Sequence, residues 1–157
     1  MNKLAGMQYK RLYAGVFIAL TFLVLFALGE GFWGGDGKAV HWTEKLFYGV
    51  CHQLPGRTFT YNDVPMAVNS RCFGIFLGLL IGWLLIPAVK PLTAGTRWTV
   101  GIFFVAVMLQ IIDYSGNLFH LWENTNQSRA FLGWILGFSA SIVVSGLFQI
   151  TTKNKDL

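Results

Sequence analysis

The residues able to do chemistry lie in two stretches of the chain. One is Cys51-His52-Gln53-Leu54-Pro55-Gly56-Arg57, followed by Arg71-Cys72. The other begins at Asp113 and runs through Asn117 and His120 into Glu123-Asn124-Thr125-Asn126-Gln127-Ser128-Arg129. Asp113, Glu123 and His52 are the candidate catalytic residues, two carboxyls and an imidazole that can exchange protons with a reacting group. Arg57, Arg71 and Arg129 are candidate ligand-binding residues. Their forked donors suit an anion such as a lipid phosphate, and Gln53 and Asn126 are the neutral donors beside them. No nucleotide-binding loop, nucleophile elbow or zinc-protease helix signature is present, so the sequence leaves open whether the chain is an enzyme.

The elements that must position these residues are membrane helices. The 157-residue chain is 54% hydrophobic and only 12% charged, against roughly a quarter charged in a soluble domain. A soluble fold of this size has too much surface to hide that excess. Four segments approach the length of about 20 apolar residues that crosses a bilayer: about 12–28, 72–89, 98–118 and 131–150. The expected fold is all-α, a single polytopic membrane domain over residues 1–157. Its four-helix bundle carries outer loops at 29–71 and 119–130, and a short interfacial helix from His41 to about His52 lies in the first loop.

The net charge is +5, but the basic residues flank apolar segments and no nucleic-acid motif is present, so topology explains them and no nucleic-acid partner is expected. With the N-terminus in the cytoplasm, the inner side holds seven basic residues (Lys3, Lys10, Arg11, Lys90, Arg97, Lys153, Lys155) against Asp156. The outer side then holds five (Lys38, Lys45, Arg57, Arg71, Arg129) against six acids. This asymmetry places the protein in a cell (inner) membrane with both termini cytoplasmic. It also places both chemical stretches at the outer face, among membrane lipid.

The spans carry packing signals. Gly74, Gly78 and Gly82 recur every fourth residue in the second, and Gly133, Gly137 and Ser141 in the fourth, continued by Ser145. Small residues at this spacing let helices approach closely in lipid, which predicts that these two faces lie inside the bundle. In the third span Gln110, Asp113, Asn117 and His120 form one polar stripe at steps of three, four and three. A carboxylate in such a place is either functional or paired with Arg71 or Arg129. The Glu123–Arg129 stretch reads as a polar turn, with Ser128 or Asn126 as the cap of the last helix.

Cys-His-Gln with a following Arg near Phe59, then Arg71-Cys72-x-Gly-Ile-x-Leu-Gly, resembles the uncharacterised prokaryotic membrane-protein family called domain of unknown function 2085. Asp113 late in the third span and Glu123-Asn124-Thr125-Asn126-Gln127-Ser128-Arg129 look like two further elements of that family. The resemblance covers about residues 45–140. One departure stands out: the family reads Cys-x-Arg-Cys where this chain has Asn69-Ser70-Arg71-Cys72. The family's cysteines and histidine resemble a metal site. What this chain retains of it is Cys51, His52 and Cys72, with Asp113 or His120 as a fourth ligand. Such a donor set suits one transition metal: zinc, copper or iron. The rival is a Cys51–Cys72 disulfide between the only two cysteines of the chain, and two free buried thiols are the third reading. Two functions follow from the sequence. One is a membrane protein whose polar cluster at the outer face binds a metal or an anionic lipid-like ligand. The other is a non-catalytic accessory subunit of a larger membrane complex, with other membrane subunits as partners and the cluster given over to ion pairing.

Overall fold

The structure, a computed structural model, describes residues 2–34, 41–89 and 96–153. In chain order it contains α1 (Asn2–Ala27), α2 (Glu30–Trp33), α3 (Trp42–Phe47), a short 3₁₀ turn (Pro55–Arg57), strands β1 (Thr60–Tyr61) and β2 (Val64–Pro65), then α4 (Ser70–Val89), α5 (Thr96–Leu118) and α6 (Asn126–Lys153). α1, α4, α5 and α6 are each long and apolar enough to cross a membrane. The first loop and the α5–α6 turn gather at one end of the bundle, called the loop end below. Of the charged residues named for topology, Lys38, Lys90, Lys155 and Asp156 fall outside the described residues.

α6 starts five positions before the expected span, and the reason is its cap. Thr125 Oγ1 accepts a hydrogen bond from the Ser128 amide at 3.1 Å, and the Thr125 carbonyl accepts from the Arg129 amide at 3.1 Å. Thr125 therefore satisfies amides left open at the helix start. Asn126 and Ser128, the expected caps, belong instead to the first helical turn.

α4 and α6 run side by side in the same direction, held by reciprocal glycine contacts. The Ala130 carbonyl sits where a side chain would stand on Gly74, and the Trp134 carbonyl does the same at Gly78. In return Gly133 receives the Arg71 carbonyl and Gly137 that of Ile75, while Gly82 faces the Ser141 hydroxyl. Lipid supplies no hydrophobic drive for helices to associate, so close packing and weak Cα–H···O contacts take its place. α5 rests on α6, and α1 on the other side of α4. The α1–α4 contact centres on Tyr13 and Trp83. Tyr13 Oη donates to the Trp83 carbonyl and Trp83 Nε1 to the Tyr13 carbonyl, each at 3.1 Å, with the rings stacked.

The first loop folds as a cap with its own small core of Ala27, Phe47, Cys51, Ala67 and Val68. Its short helix is half the expected length, because after Phe47 the chain turns and becomes irregular from Cys51. The two strands form a hairpin that pairs Tyr61 with Val64. Its central residues Asn62 and Asp63 have φ of 52° and 62°, the left-handed backbone that matches a two-residue hairpin to strand twist. The cap is tied to α1 by the Ala67 amide on the Ala27 carbonyl at 3.2 Å. Gly29 permits this approach: it has φ 75°, and a side chain there would lie 2.6 Å from the Ala67 nitrogen.

Candidate functional site: an arginine-lined cavity at the loop end

The site begins with an ion pair. Arg71, in the first turn of α4, binds Asp113 near the end of α5 through Nη2 and Oδ2. Asn124 Nδ2 donates to the same oxygen at 2.8 Å. Asp113 is buried, so the carboxylate gives up most of its water and is repaid by one charged and one neutral donor. α4 and α5 do not pack along their lengths, and this pair is what ties them at the loop end. A second clip holds the loop to the bundle. Asn126 Nδ2 donates to the Thr58 carbonyl at 3.1 Å, Ser70 Oγ to the Arg57 carbonyl at 3.0 Å, and Thr58 Oγ1 to Asn69 Oδ1 at 3.1 Å.

These two clips frame a cavity of about 680 Å³, lined from the loop by Leu54–Arg57, from α5 by Tyr114, Asn117 and Leu118, and from the following turn and α6 by His120, Glu123, Asn124 and Arg129. An inner lobe of about 120 Å³ adjoins it, lined by Arg57, Asn69, Arg71, Cys72, Tyr114, Asn117, Asn124 and Arg129. Arg57, Arg71 and Arg129 thus converge on one space from three separate elements. Of these three arginines only Arg71 has an ion-pair partner among the described residues.

The sequence candidates separate accordingly. Arg57, Arg71, Arg129 and Glu123 line the cavity, and Asp113 braces it from behind. His52 is exposed and lines neither lobe. Gln53 clamps the loop: its Nε2 donates to the Glu44 carbonyl at 2.6 Å and the Ala67 carbonyl at 3.0 Å. Asn126 is likewise spent on the Thr58 clip. The polar stripe of α5 breaks at its top. The helix ends at Leu118, and His120 stands beyond it with φ 55°. At its lower end the Gln110 amide is buried with no hydrogen-bond partner among the described residues.

Among the described residues no three of His, Cys, Asp and Glu gather as a metal site. Cys51 and Cys72 do come together, both as free thiols. The Cys51 thiol is lowered from 9.0 to about 5, first by a hydrogen bond from the Cys72 thiol, then by the Asn69 and Gln53 amides and nearby His52, with burial opposing. The Asn69 amide lies 3.2 Å from Cys51 Sγ.

Tyr114 is a cavity residue that the sequence reading did not single out, and Asn69 and Asn124 line the cavity although that reading assigned neither a role of its own. Tyr114 lies just off the polar stripe, and its ring is as apolar as its neighbours. Asn69 is the position where the family pattern has a cysteine.

A bundle of four membrane-length helices with a polar cavity under an extramembrane loop defines a polytopic membrane protein. The chain belongs to the family described as "Predicted membrane protein (DUF2085)", which its residues 51–143 match. It is also similar to the uncharacterized protein MJ1492 of Methanocaldococcus jannaschii, 30% identical over 141 residues that cover 87% of this chain and 85% of that one. No solved structure matches the chain.

Proposed function

We propose that the cavity binds an anionic, phosphate-bearing, lipid-like ligand, with the loop end facing outward from a cell membrane and both termini in the cytoplasm. One observation carries this reading. Arg57 and Arg129 share a cavity with Arg71, and among the described residues neither forms an ion pair, though Glu123 lines the outer part of the same cavity. Like charges brought together repel unless an anion enters between them, and guanidinium forks match phosphate oxygens. The cavity volume falls in the range of small-molecule sites and leaves room for a head group beyond the phosphate. Leu118 and Tyr114, on the rim, are more than half exposed and continue down α5 as Ile111 and Phe104, equally exposed. This apolar stripe offers a hydrocarbon tail a path into the bilayer. Asp113, committed to Arg71 and Asn124, serves as a brace, and with His52 outside the cavity the reading is binding rather than acid–base catalysis.

The test is binding of the full chain, in detergent micelles doped with phosphatidylglycerol or phosphatidylcholine. Selective retention of phosphatidylglycerol is expected, falling about tenfold when Arg57 or Arg129 becomes alanine, the worth of one charged hydrogen bond. Equal retention of both lipids, or indifference to both substitutions, overturns the reading. The accessory-subunit reading has one observation in its favour: only 6% of the α1 membrane segment is buried, which leaves a helix face for another subunit. Native mass measurement after gentle extraction decides it, and a stable monomer removes it.

A further inference from the structure

Cys72 is the thiol that meets the cavity. It lines the inner lobe beside Arg57, Arg71 and Arg129. Cys51 sits behind it in the buried core of the loop cap, 4% exposed, and Cys72 packs against that core. The Cys51 sulfur accepts hydrogen bonds from the Asn69 amide and the Cys72 thiol. The fold has therefore set the only two cysteines of the chain sulfur to sulfur, one reachable and one shielded, at the floor of a cationic pocket.

We propose that Cys72 and Cys51 are an exchangeable dithiol, oxidised by a small anionic disulfide that enters through the arginine-lined lobe. Cys72 sulfur attacks one sulfur of the oxidant while its proton passes along the existing hydrogen bond to Cys51. A Cys72–oxidant bond forms, the oxidant's own bond breaks, and the released thiolate takes up that proton and leaves as a thiol. Cys51, again a thiolate, attacks the Cys72 sulfur and expels the second half of the oxidant, which is protonated from water. Two electrons have then passed from the cysteine pair to the oxidant, which ends as two thiols. The Cys51 sulfur is in place to take the first proton because it already accepts the Cys72 hydrogen bond, and because it ionises readily it is present as nucleophile for the second step. The arginines raise the local concentration of an anionic oxidant, and any anion already seated in the inner lobe shields Cys72. The proposal needs only the thiol placement and the cavity charge, and does not depend on the lipid-like ligand.

The reduced full chain in neutral detergent is mixed with oxidised glutathione, an anionic disulfide, or with hydroxyethyl disulfide, a neutral one. The reaction is quenched with iodoacetamide and read by intact mass, and each rate is normalised to that of the same disulfide with the denatured chain. The expected product is an internal disulfide, two hydrogens lighter than the dithiol and refractory to alkylation. Oxidised glutathione should hold an advantage of about tenfold at low salt, lost at high salt, lost in the Arg57→Ala, Arg129→Ala double variant, and reduced by inorganic phosphate. In Cys51→Ser the glutathione adduct should accumulate on Cys72, and Cys72→Ser should give none. An absent internal disulfide, equal normalised rates for the two oxidants, or indifference to salt and phosphate overturns the proposal. The salt and phosphate arms use the unaltered chain and stand even if a variant fails to fold. Failure of lipid retention with a positive result here would sink the lipid reading alone.

Discussion

A single methyl group placed on Gly78 should drive α4 and α6 apart. A Cβ there would meet the Trp134 carbonyl oxygen far inside contact distance, with the Phe138 amide nitrogen at 2.8 Å and the Trp134 carbonyl carbon at 3.0 Å. All three are backbone atoms, so no side-chain rotation relieves the clash and the helices must separate by roughly an ångström. Over-packing costs about 1–3 kcal/mol where side chains can yield. With backbone on both sides the upper half of that range applies, about 2–3 kcal/mol for Gly78→Ala and more for Gly78→Leu. At about 2–4 °C per kcal/mol for a chain of this size, Gly78→Ala should lower the melting temperature by roughly 4–12 °C. The assay is thermal unfolding in one detergent, followed by loss of the monodisperse chromatographic peak. Gly101, in α5, supplies the opposite sign: nothing lies within 4 Å of its would-be Cβ. Alanine there only removes backbone freedom worth about 0.5–1 kcal/mol, so Gly101→Ala should melt at or slightly above the parent. If Gly78→Ala melts with the parent, or Gly101→Ala falls as far as Gly78→Ala, the close glycine seam is not what holds the bundle.

Asp113→Asn keeps the shape of the brace but leaves Arg71 without a counter-charge. It should cost about 2 kcal/mol in thermal stability, below the loss for a fully buried pair because Arg71 is partly exposed, while retention of phosphatidylglycerol rises as a third guanidinium becomes available. A fall in both would refute the brace. The Cys51 thiol makes stability depend on pH. Its folded value, about 5, lies below the ordinary 9.0, so its contribution is complete above about pH 9 and is lost as pH falls to about 5. Melting temperature should climb across that window in the parent and not in Cys51→Ser, with the ultraviolet absorbance of the thiolate titrating near the lower end. A parallel slope in the two proteins would rule out Cys51 as the source. Gln53→Ala removes the tie between the α3 and Ala67 segments and should cost about 1–2 kcal/mol, seen as faster amide exchange in the loop cap with the helical spans unchanged.

The four membrane helices and the inward placing of the small-residue faces of α4 and α6 were legible because lipid leaves the sequence few options. Length, apolarity and small-residue spacing each have one structural solution there. The site was legible in part. Arg57, Arg71, Arg129, Asp113 and Glu123 stand out as charges beside membrane spans, and the structure brings all five to one place. What periodicity could not supply is the path of residues 51–69, which have no regular period and whose position is set by single side-chain ties such as Gln53 and Asn126. The start of α6 was obscured for a related reason. Asn126–Arg129 is polar enough to read as a turn, and only the Thr125 hydroxyl decides that it is helix. His120 was placed on the α5 stripe by extrapolation, two positions past Leu118, where the helix ends.

The seam between α4 and α6 also bears on how the protein is made. Its two halves are not neighbours in the chain: α5 and the α5–α6 turn are synthesised between them. When α4 enters the bilayer its bare glycine face has no mate, and the partner emerges last of the four. The seam therefore closes only once α6 is in the bilayer. Insertion of α4 and α5 precedes a late docking step in which α6 meets both, and among the described residues the Arg71–Asp113 ion pair can already join the half-made protein's central helices at their loop end.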